Sequence, residues 1–131
     1  YGAFNAGLKT VNTVNTFPFY NGLIFSLSNI SLSSFWLIFF ENHYGVQIIH
    51  RLLGFILMGL VMFFSYKSNM SNSRIKLESQ YLIVLILFQC IVGILTLISN
   101  ASIVFALFHQ FLAILTILFA IKIKHNLKYK D

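Results

Sequence analysis

Charge is what this chain has least of. Only 9% of its 131 residues are Asp, Glu, Lys or Arg, against roughly a quarter in ordinary soluble domains. A chain so poor in charge cannot cover a water-facing surface. Acids are scarcest, three against nine Lys and Arg. The single cysteine, Cys90, excludes an internal disulfide and any paired-cysteine redox motif. The single proline, Pro18, falls within residues 1–22, a stretch of glycine, asparagine and threonine that reads as the end of a helix followed by a polar loop. The chain opens on Tyr1 without an initiator Met or a signal or transit pattern, so further sequence is expected upstream.

Apolar residues are present in excess, at 58% of the chain. Residues 81–100, "YLIVLILFQCIVGILTLISN", run for 20 positions without a charge. At 1.5 Å per residue that is enough to cross a hydrocarbon core of ~30 Å, and a helix is the only open-chain structure that can do so. The expected fold is therefore all-α: a transmembrane helical bundle in one domain. Three spanning helices are secure, at 42–66, 77–98 and 102–123, with the end of a fourth before them. Asn42 is the expected N-cap of the first. Residues 23–40 have the length of a marginal span, but five serines and Asn29 interrupt them. They read as an amphipathic or partly buried outer segment.

The net charge of +6 would raise nucleic-acid binding in a soluble domain. Here the basic residues lie outside the apolar runs, which points to topology and to membrane lipid as the contact, with no nucleic acid. Lys67, Arg74 and Lys76 share one connector, and Lys122, Lys124, Lys128 and Lys130 share the tail. Two helices separate the clusters, so both lie on one side, the cytoplasm or matrix by the positive-inside rule.

Two histidines stand out by depth. His50 lies eight residues below Asn42 and His109 seven below Ser102, each roughly 10–12 Å inside the outer boundary. They are level, on helices entering from the same side, and can face each other across a bundle. An ionisable residue at that depth is functional by default. Two neutral imidazoles at one level, across an apolar gap, suit the axial positions of a haem. Gly54, four residues after His50, and Gly93, near the same depth on the middle helix, leave room for a ring edge. Phe55, Phe105, Phe108 and Phe111 flank the histidines in sequence, but aromatic-rich faces are ordinarily packing. A lone histidine in a membrane is as readily an interhelical hydrogen-bonding group; the level pair with its glycines favours haem iron. Other metal sites lack a carboxylate or thiol at ligand spacing with both histidines.

Arg51 projects about 100° from His50 on a helix and can snorkel outward, to pair with a haem propionate or Glu41 or to anchor the outer surface. His43 belongs to the water interface and His125 to the opposite end. Gln47, three residues before His50, shares its face. An amide there can orient the histidine or a haem edge but cannot accept a proton, so the site suits a cofactor better than acid–base chemistry.

These residues carry a resemblance. "GAFNAGL" at 2–8, "NTFP" at 15–18, "FFEN" at 39–42 with "VQIIHR" at 46–51, and "VGILTL" at 92–97 with "ALFHQ" at 106–110 resemble, in order and spacing, the C-terminal half of the heme A synthase family. Those membrane enzymes oxidise a methyl group of heme O to the formyl of heme A for cytochrome c oxidase. The family's two tandem four-helix bundles each carry a histidine pair. The resemblance implies that 1–8 end the first helix of the second bundle, that 9–41 form its outer loop, and that His50 and His109 ligate a haem b. It also implies that the heme O site and catalytic glutamate belong to an N-terminal half outside these residues, in the same or a separate chain. Gln47 stands where the other half would carry that glutamate. Heme O synthase and cytochrome c oxidase assembly factors are implied partners. The implied location is the mitochondrial inner membrane or the bacterial cytoplasmic membrane. Lys9, Thr10, Val11 and Ile48 depart from the family pattern, all outside the ligands. Two other readings stay open: a non-catalytic membrane subunit or assembly factor of a respiratory complex, and a stand-alone b-type cytochrome.

Overall fold

The computed structural model describes residues 2–10, 16–17, 35–70 and 75–129. Pro18, Arg74, Lys130 and residues 23–34, which make up most of the expected outer segment 23–40, lie outside the described residues.

Five helices are described: α1 (Gly2–Gly7), α2 (Phe35–Phe40), α3 (His43–Met70), α4 (Lys76–Ile98) and α5 (Ile103–Tyr129), with no strand among the described residues. The expected all-α bundle is the fold. The last three helices are long and apolar enough to cross a membrane. With 28, 23 and 27 residues, they reach about 35–42 Å at the α-helical rise. α4 packs against both α3 and α5, α1 and α2 lie against α3, and these are the principal contacts.

The ends of the helices have local causes. Asn42 caps α3 as expected: its Oδ1 accepts from the Gly45 amide at 3.0 Å, and its carbonyl accepts from Val46 at 2.9 Å. The hairpin between α4 and α5 is a Schellman turn. Ala101 donates to the Thr96 carbonyl at 2.9 Å and Asn100 to Leu97 at 3.2 Å. Both turn residues are left-handed, with φ of 52° at Asn100 and 57° at Ala101. Ser102 then opens α5 by accepting from the Ala106 amide at 3.0 Å.

The expected boundaries differ at the other end. α3 continues past Tyr66 to Met70, and α5 past Ile123 to Tyr129. The expectation ended both helices where the apolar run ends. A lysine-bearing stretch without glycine or proline has no reason to stop being helical there, because lysine and leucine are good helix formers. Smaller differences are α1 ending at Gly7, α4 starting at Lys76, α5 starting at Ile103, and α2 inside the expected 9–41 loop.

One buried cluster lies toward the lysine-rich ends. Val61, Ile75, Leu82, Ile86 and Ile123 form the buried cluster, with Met58, Phe64, Ile83 and Phe119 packed on it. Beside it the fully buried Ser65 donates to Ser79 Oγ at 3.2 Å, and Ser79 donates to the Lys76 carbonyl at 2.7 Å. These small hydroxyls let α3 and α4 approach closely, as polar small residues do between membrane helices. Outward, large apolar side chains such as Leu60, Phe63, Val84 and Ile117 are exposed. Surface of that kind and extent suits lipid and not water.

Candidate functional site

His50 sits two turns into α3 and His109 two turns into α5, so the caps at Asn42 and Ser102 set both at one level. Their ring centres are 6.5 Å apart, with the ring planes inclined at 76°. Two imidazoles that close, on separate helices, are the residues of this chain that could hold a haem through its iron.

Each ring also meets a glycine. A Cβ on Gly93 of α4 would fall 2.8 Å from His109 Cε1 and 3.3 Å from its Nδ1, so only glycine lets the ring lie this close to the helix. Gly2 of α1 approaches His50, its would-be Cβ 3.9 Å from Cε1. A Cβ on Gly54 would meet nothing within 4 Å. Among the described residues, the face of α3 one turn from His50 is therefore open, as a ring edge would require.

One residue of the site was not foreseen. Gln89 on α4 serves both nitrogens of His109: its main-chain oxygen is 3.1 Å from Nδ1, and its side-chain Nε2 is 3.4 Å from the ring Nε2. The Gln89 Oε1 is buried without a hydrogen-bond partner among the described residues. Two features of the sequence could have flagged it: an amide in the middle of an uncharged span is costly unless used, and Gln89 precedes Gly93 by one helical turn.

The remaining expected residues fall as follows. Gln47 is buried on α3 at 4% exposure, one turn before His50. The Arg51 guanidinium donates to the Thr16 carbonyl at 2.8 Å and lies over the Phe17 ring, 5.6 Å from its centre. It thus ties α3 to the chain that precedes α2. Phe55, Phe108 and Phe111 are exposed, and Phe108 meets Phe88 edge-on at 6.0 Å. His43 is the first residue of α3 and half-buried, and His125 is exposed near the end of α5. Neither joins the pair. Among the described residues no group of three or more His, Cys, Asp or Glu could hold a bare metal ion. A haem asks for only two protein donors, and His50 and His109 are the two residues here that could supply them. A groove lined by Phe64, Leu82, Ala120, Ile123 and Leu127, with Lys124 and Lys128, lies at the opposite end and includes no histidine.

Fold and site together define a multi-span α-helical membrane protein with two level histidines on separate helices. The chain belongs to the cytochrome oxidase assembly protein family (COX15-CtaA), whose pattern it matches over residues 1–121. It is 37% identical over 111 residues to the heme A synthase of Wolbachia pipientis wMel, covering 84% of this chain and 30% of that protein. It is 34% identical over 123 residues to the heme A synthase of Bartonella tribocorum, covering 92% of this chain and 34% of that one. The chain thus spans about a third of the length of these curated relatives. No solved structure matches it.

Proposed function

We propose that these residues are the haem-binding, C-terminal bundle of a heme A synthase-like membrane oxidoreductase, in which His50 and His109 would hold a b-type haem through its iron. One observation carries the reading: two level imidazoles, 6.5 Å between centres, in a membrane bundle of this family. When bound, such a haem supplies reversible one-electron transfer. The chain's own residues do the rest. His50 and His109 present neutral donors from opposite sides, Gly54 leaves the ring edge room, and Gly93 lets His109 seat against α4. Gln47, an amide on the His50 face, orients without taking a proton. Arg51, which also bonds the Thr16 carbonyl, is the residue that would meet a propionate. Oxidation of heme O to heme A then belongs to the whole protein, with the heme O site in an N-terminal half. Heme O synthase and cytochrome c oxidase assembly factors are its partners. The membrane is the mitochondrial inner or bacterial cytoplasmic one, with the basic connector and tail on the matrix or cytoplasmic side.

Reduced-minus-oxidised spectra of the purified full-length protein test this. A low-spin b-type signal is expected, lost in His50→Ala and in His109→Ala; a spectrum unchanged in both overturns it. A second reading has one observation behind it, the two contacts between His109 and Gln89: His109 then merely fastens α5 to α4, as in a non-catalytic subunit. That reading predicts no haem and an indifferent His50→Ala.

A further inference from the structure

A carbonyl oxygen can only accept, so the 3.1 Å contact between Gln89 O and His109 Nδ1 requires the proton on Nδ1. The neutral ring then carries its lone pair on Nε2, and the Gln89 amide at 3.4 Å is a donor to that same lone pair. Both contacts thus select one tautomer. The ring reaches this position only because α4 has no side chain at residue 93, where a methyl would lie 2.8 Å from Cε1 and 3.6 Å from Nε2. Contact at 2.8 Å would force the ring or the helix to move.

We propose that Gln89 and Gly93 are the positioning residues of His109. The Gln89 main-chain carbonyl holds the ring as the Nδ1–H tautomer, and the vacancy at Gly93 lets it rotate into place, so that Nε2 is the nitrogen offered as ligand once the Gln89 side-chain amide turns aside. The usefulness of this arrangement rests on the haem-ligand reading above; the arrangement itself is a property of the protein without haem. A ligating histidine oriented through its other nitrogen is a recurrent device, and the orienting group raises ligand basicity. In this chain the orienting group is main chain, which no substitution at 89 removes, so the sensitive position is 93.

The test has a haem-free arm and a haem arm, both on the full-length protein. In haem-free protein labelled with ¹⁵N-histidine, His109, assigned by its absence in His109→Ala, should show a protonated Nδ1 and an unprotonated Nε2. Gln89→Leu, which keeps the carbonyl, should leave that pattern in place, and Gly93→Ala should abolish it. A predominant Nε2–H form in the wild type, or loss of the pattern in Gln89→Leu, overturns the assignment. In the haem-loaded protein, Gly93→Ala should convert the low-spin signal to high-spin, with low-spin character restored by added imidazole. Gly59→Ala, where a Cβ meets nothing within 4 Å, serves as the control and should match the wild type. A Gly93→Ala protein with the wild-type low-spin signal overturns the positioning role. If the wild type holds no haem at all, the functional reading fails, while the ¹⁵N pattern still decides the tautomer.

Discussion

Replacing Ser65 probes how closely α3 and α4 are packed. Its hydroxyl is fully buried and donates to Ser79 Oγ at 3.2 Å, while Ser79 uses its own proton on the Lys76 carbonyl at 2.7 Å. In Ser65→Ala, Ser79 therefore keeps a satisfied donor and loses only one incoming bond. Interhelical hydrogen bonds in membrane proteins average about 0.6 kcal/mol, so the expected loss is of that size. Ser65→Leu differs in kind. It adds a net two heavy atoms at a site with no accessible surface, beside the Val61, Leu82 and Ile86 cluster, and overpacking of that sort costs about 1–3 kcal/mol. Thermal unfolding of the purified protein in detergent, read by loss of helical circular dichroism, should rank wild type slightly above Ser65→Ala and both well above Ser65→Leu. The Ser65→Ala/Ser79→Ala double mutant should then show a coupling close to the single-bond value. A Ser65→Leu protein as stable as Ser65→Ala would refute the close approach of α3 and α4 at this level.

Three smaller predictions concern the outer ends of the helices. Asn42→Ala removes the side-chain acceptor for Gly45 and should cost about 1 kcal/mol in the same assay, with Asn42→Ser close to the wild type. Ala101→Gly relieves a left-handed alanine, φ 57°. It should stabilise the α4–α5 hairpin by about 0.5–1 kcal/mol once the greater freedom of glycine in the unfolded chain is set against the relief. Arg51→Ala removes both the bond to the Thr16 carbonyl and the guanidinium over Phe17. Hydrogen exchange of peptides covering residues 16–17 should speed up in it, and protection equal to the wild type would count against this tie.

The parts legible in the sequence were those set by counting along one helix. His50 and His109 could be levelled because Asn42 and Ser102 are cap residues from which depth is a matter of rise per residue, and the rings do meet at 6.5 Å. Gly93 was legible as a small residue at the same depth. Its particular partner was not, because whether it faces His50 or His109 depends on how α4 is rotated. Gln89 escaped for the same reason: no periodicity within α4 reveals that one of its carbonyls lies against a ring on α5. Arg51 was expected to pair with a propionate or Glu41 or to anchor the outer surface; its bond to main chain at Thr16 is a contact 35 residues away in sequence that helix geometry alone does not encode. The inner ends of α3 and α5 were placed too early because apolarity marks where a helix leaves lipid, not where it ends.

The central claim is that His50 and His109 share one iron, and electron paramagnetic resonance of the oxidised full-length protein tests it most directly. The account predicts a low-spin ferric signal from a bis-imidazole haem in the wild type, converted to high-spin by His50→Ala and, separately, by His109→Ala, each recovering low-spin character with added imidazole. A low-spin signal that survives both substitutions would contradict it.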